Sequence, residues 1–82
     1  MIFLIEYDRS KGILVIMDKF KDSDREKAEK KRIELEIRLN REKVGHEVVL
    51  LEAVTEELLR HTHRRYFESL RTIAVSTGTT TI

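Results

Sequence analysis

Two short runs near the start of the chain, Ile2 to Tyr7 and Ile13 to Phe20, are dense in β-branched and aromatic residues and read as strands. Between them, Asp8-Arg9-Ser10-Lys11-Gly12 reads as a hairpin loop, with Gly12 placed to take the left-handed conformation at its end. From Ser23 to Val44 the apolar residues space out to a helical period. At about 100° per residue, Ala28, Leu35 and Leu39 fall on one side, and Ile33, Ile37 and Val44 fall roughly opposite. Ser23 and Glu26 have the spacing of a capping box, and Glu26–Lys30 and Glu34–Arg38 are favourable pairs one turn apart. Gly45 is expected to stop this helix, with Arg41 and Lys43 complementing the dipole of its last turn.

His46 to Ala53 reads as a third strand whose centre, Val48-Val49-Leu50-Leu51, is apolar on both faces. Thr55 is set to cap a second helix, with Glu56 and Glu57 in its first turn, running to about Arg71. Residues 76–82 lack a helical pattern and read as a flexible tail to a single domain spanning 1–75. Their β-branched content leaves an extra edge strand as the alternative.

The predicted order is β-β-α-β-α, an α+β fold. A right-handed crossover through the first helix returns the third strand parallel to the second. Insertion beside the first strand then gives a three-stranded mixed sheet of order 2-1-3. The first two strands also carry apolar residues on both faces. Should both helices cover one face, the other needs a partner. Together with the second stripe of the first helix, this predicts a homodimer.

Composition narrows the functional classes. With 82 residues the chain is one domain with a modest core. It has no cysteine, so neither disulfides nor thiolate metal sites are available. Charged residues make up 38% of the chain, yet 16 Lys and Arg nearly cancel 15 Asp and Glu. No global field therefore draws nucleic acid or an anionic membrane, and any such role needs a local patch. No apolar run approaches the ~18 residues of a membrane span, and the apolar N-terminus lacks the basic region of a signal peptide. The expected setting is soluble and cytoplasmic, with no membrane association.

Candidate chemistry concentrates in Arg60-His61-Thr62-His63-Arg64-Arg65-Tyr66. On a helix, His61 and His63 lie about 200° apart and cannot chelate one ion, so no metal and no cofactor is expected. His63 falls between Leu59 and Phe67 on the apolar stripe, as a packed histidine or, alternatively, an acid–base or pH-sensing group. Arg60, Arg64 and Arg71, with Arg65 on the flank, form a basic ridge that could bind phosphates or be neutralised by Glu57 and Glu68. Glu52, at the end of the third strand, completes an enzymatic alternative with His63 and Tyr66.

These patterns favour a non-enzymatic domain for protein–protein interaction or homo-oligomeric assembly. Its expected interface residues are Ile33, Ile37 and Val44, with Arg38 or Arg41 at the rim. The alternative is a nucleic-acid-binding accessory domain using Arg60, Arg64, Arg65 and Arg71.

Overall fold

A computed structural model describes residues 1–68. Arg71, the domain limit at residue 75 and the tail at 76–82 lie outside the described residues. The elements are β1 (Ile2–Asp8), β2 (Ile13–Phe20), a 3-10 turn (Asp22–Asp24), α1 (Arg25–Arg41), β3 (Glu47–Glu52), α2 (Glu56–Thr62) and a second 3-10 turn (Arg64–Tyr66). The strands form one sheet of order β2-β1-β3, the order expected from the crossover argument.

Both ladders are antiparallel: Ile5 faces Met17 on β2 and Val49 on β3. The parallel relation expected of a mixed sheet therefore exists only between the two outer strands, which β1 separates. The β1–β2 register slips between Glu6 and Tyr7. Glu6 opposes Ile16 and Tyr7 opposes Leu14, so Val15 is the extra residue of a bulge in the edge strand.

All seven residues of β1 are buried. Phe3, Ile5 and Tyr7 point to one face and pack with Leu59 of α2 and with Tyr66. Leu4 points to the other and packs with Leu35 and Leu39 of α1. The two helices thus cover opposite faces of the sheet. This corrects the expectation that they share one face and leave the other to a partner. The doubly apolar central strand is satisfied within one chain, and each fully buried side chain there contributes about 1.5–3 kcal/mol.

The ends of α1 depart from the sequence reading. Residues 22–24 wind as a 3-10 turn closed by the Asp24 N–H to the Lys21 carbonyl at 2.9 Å, which leaves Ser23 one residue ahead of the cap position. Asp24 stands there instead and makes no side-chain cap bond, so the expected capping box is absent. At the other end the left-handed residue is Lys43, at φ 57°, rather than Gly45. The Val44 N–H reaches the Leu39 carbonyl at 2.9 Å and the Lys43 N–H reaches Asn40 at 3.2 Å. This is a Schellman closure, and Val44 packing on Leu39 is its usual apolar contact. A Cβ on Gly45 would meet nothing within 4 Å. Gly12 does take its expected left-handed conformation, at φ 66°.

The Thr55 cap of α2 forms as expected, its hydroxyl accepting from the Leu58 N–H at 3.1 Å. The helix, however, stops at Thr62 instead of continuing to about Arg71. His63, at φ −123° and ψ 50°, leaves the helical region, and the chain turns into the 3-10 segment that brings Tyr66 onto the sheet. There its ring packs edge-on to Tyr7. Among the described residues no helix is long and apolar enough to cross a membrane.

Candidate functional site

The outer face of α1 carries Ile33 and Ile37, one turn apart and 47% and 53% exposed. Both lie opposite the buried stripe of Ala28, Leu35 and Leu39. On one flank Arg32 is held between Glu29, at 3.0 Å, and Glu36, at 2.9 Å. Those two carboxylates, bonding to the guanidinium, push the Arg32 pKa up.

Val44 does not belong with this pair. It lies past the end of the helix and packs on the cluster of Leu4, Leu35 and Leu39. A helical wheel placed it opposite them because the wheel continues through a residue where the chain has already reversed. Arg38, expected at the rim, stays exposed, with its guanidinium 4.0 Å from the buried Glu6 carboxylate. A second exposed apolar pair, Ile13 and Val15, sits on the edge strand β2. Alternation along the strand hinted at it, but only strand order makes β2 an edge.

The basic ridge breaks where α2 stops. Arg60 pairs with Glu56 at 2.9 Å and lies 4.6 Å from the Phe67 ring, while Arg64 pairs with Glu68 at 3.0 Å. Glu56 is held below its ordinary carboxylate pKa by hydrogen bonds from Lys19 and Arg60. Arg65 faces elsewhere: it reaches Glu47 at 2.8 Å and lies 4.1 Å from the Tyr66 ring. Arg60, Arg64 and Arg65 are thus each engaged with a carboxylate, on two different parts of the surface.

The residues of the enzymatic alternative do not converge. Nδ1 of His63 meets the neighbouring Thr62 hydroxyl at 2.9 Å. Glu52 pairs with Arg25 of α1. Tyr66 donates its hydroxyl proton to Glu47, with its ring edge-on to Tyr7 at 5.2 Å between centroids. Hydrogen bonds from Tyr66 and then Arg65 hold Glu47 below the ordinary carboxylate range. Burial, reinforced by the bond to Glu47, pushes the Tyr66 hydroxyl up. The arrangement fastens the 3-10 turn that follows α2 to the start of β3.

Sequence reasoning missed a second polar cluster. Glu6 and Asp8 lie on the α1 face of the central strand, and His46, just ahead of β3, sits between them. His46 Nδ1 lies 2.5 Å from Glu6 Oε2, and its Nε2 lies 3.4 Å from Asp8 Oδ2. The Glu6 side chain is only 4% exposed, and its Oε1 has no hydrogen-bond partner among the described residues. Asp8 is better supplied, since its Oδ1 accepts from the Ser10 hydroxyl at 2.7 Å and from the backbone N–H groups of Ser10 and Lys11. The Ser10 hydroxyl is the leading cause of its lowered pKa. The available signal was an acid at i and i+2 of an apolar strand, which places both on one face. What that face would meet was not legible.

The two carboxylates address opposite ring nitrogens, so they do not converge on a common point. Among the described residues no group of three histidine, aspartate or glutamate side chains is arranged to hold a metal ion. Comparison of the chain with known protein families, curated proteins and solved structures yields no match.

Proposed function

We propose that this chain is a small non-enzymatic interaction domain that assembles through the outer face of α1, with a second copy of itself as the simplest partner. The observation that carries the reading is the Ile33–Ile37 pair. Two isoleucines one turn apart stand half exposed on a helix that is otherwise charged on that side. Each is already about half covered, so full burial at a contact would add about 0.7–1.5 kcal/mol per side chain. The small core of a domain this size supports the same reading, since such domains often gain stability by association.

The nucleic-acid alternative draws less support. Arg60, Arg64 and Arg65 are already engaged by Glu56, Glu68 and Glu47, which lowers the positive potential available to a phosphate.

Sedimentation equilibrium across micromolar concentrations tests the proposal. A concentration-dependent dimer is expected, and Ile33→Glu with Ile37→Glu should leave a folded monomer. A wild-type chain that stays monomeric and binds no partner through this face would end the idea.

A further inference from the structure

The central strand buries two carboxylates on one face, and the cations available to balance them come from outside that strand. Glu6 and Asp8 are two residues apart on β1, with side chains 4% and 12% exposed. Arg38, from α1, stops 4.0 Å from Glu6 Oε1. Glu36, also on α1, lines the same shallow groove as His46, together with the neutral Asn40 and the apolar Leu39, Val44 and Val48. The groups around His46 are therefore three carboxylates and one guanidinium.

We propose that His46 acts as a proton-operated clamp, tying the start of β3 to the central strand when its ring carries both protons. The hydrogen-bond inventory sets the logic. A doubly protonated imidazole has two N–H donors, whereas a neutral one has one donor and one lone pair. In the first state Nδ1–H donates to Glu6 Oε2 while Nε2–H faces Asp8 Oδ2 across 3.4 Å. Loss of one proton to solvent turns one nitrogen into an acceptor facing a carboxylate oxygen. The buried Glu6–Asp8 pair then keeps Arg38 as its cation. The sign follows: the clamp is closed on the acidic side and loosens as the pH rises. What loosens is the junction between α1 and β3, where Val44 and Val48 border the groove beside His46.

The test compares wild type, His46→Gln and Asp8→Asn at about pH 5.5 and about pH 8.5, on either side of the ordinary imidazole range. Melting temperature and amide exchange at Glu47 and Val48 are the readouts. His61 and His63 are present in all three chains, so whatever they contribute is common to the comparison. The advantage of wild type over His46→Gln should shrink by about 5 °C from the acidic to the alkaline condition. Protection factors at the two β3 amides, which remove the base-catalysed rise in intrinsic exchange, should fall in wild type over the same interval, and not in His46→Gln. Asp8→Asn keeps the oxygen that closes the hairpin turn and should show a smaller step. Parallel pH profiles for wild type and His46→Gln would overturn the proposal. Should His46→Gln not fold, Asp8→Asn decides, and an undiminished step in that variant would overturn it equally.

Discussion

Lys43 holds a left-handed backbone conformation that costs an L-residue roughly 1–2 kcal/mol, and the Schellman closure around it offsets that cost. Lys43→Gly removes the Cβ penalty but adds freedom to the unfolded chain. The net expectation is a gain of about 0.5–1 kcal/mol, read as a rise of a few degrees in melting temperature. Tyr66 is a different kind of residue-scale device. Its hydroxyl serves a partly buried carboxylate and its ring packs edge-on to Tyr7. Tyr66→Phe keeps the ring contact and loses the charge-assisted bond, so it should cost about 1.5–3 kcal/mol in urea denaturation. The Gly12 turn and the Thr55 cap were legible in the sequence because each depends on a few neighbouring residues. Lys43 was not, because Gly45 offered a better-looking stop that the chain does not use.

Elements in this fold are held as much by what joins them as by their own periodicity. The start of β3 is fastened twice, through Glu47 to Tyr66 and Arg65, and through His46 to Glu6. Glu47 has a clear pH sign. Its folded pKa lies below the ordinary value of 4.5, so the stability it contributes is present above that value. That contribution is lost as the pH falls through the folded value. Wild type should therefore lose stability on acidification through the carboxylate range more steeply than Glu47→Gln, as followed by thermal melts. On the opposite edge, β2 is guarded against casual pairing. Val15 bulges, Asp18 pairs with Lys31 at 2.9 Å, and Lys19 pairs with Glu56. The shortened α2 still contributes Leu59, which is fully buried against Phe3 and Ile5. Leu59→Ala should cost about 2–5 kcal/mol in chemical denaturation, through lost transfer energy and the cavity left behind.

For the whole molecule, the decisive fact is that one sheet has a helix on each face. Burial of β1 on both sides removes the sheet faces as a reason to dimerise and, among the described residues, leaves the outer face of α1 and the Ile13–Val15 pair of the edge strand among the exposed apolar surfaces. The two effects can be separated experimentally. Ile33→Glu with Ile37→Glu alters exposed positions, so monomer stability should stay within about 0.5 kcal/mol of wild type. Association should fall. A comparable loss of both would mean that the isoleucines serve the fold rather than a contact.

Local pattern determined a good deal by itself: the three strands, the inner stripe of α1 and the Thr55 cap, while the 2-1-3 order is an expectation conditional on the third strand inserting beside the first. It reports which side chains share a face of their own element, since that is fixed by about 3.6 residues per turn or two per strand repeat. It does not report which face of the sheet a helix will cover. Only the tertiary structure placed α1 and α2 on opposite sides, stopped α2 at Thr62 to deliver Tyr66 to the sheet, and turned Val44 inward. The polar contacts lay further still beyond reach, because Glu6 meets His46 across 40 residues and Glu47 meets Tyr66 across 19. Such pairs are created by strand register and by the burial of a charge that then needs a partner. Neither leaves a spacing in the chain to be read.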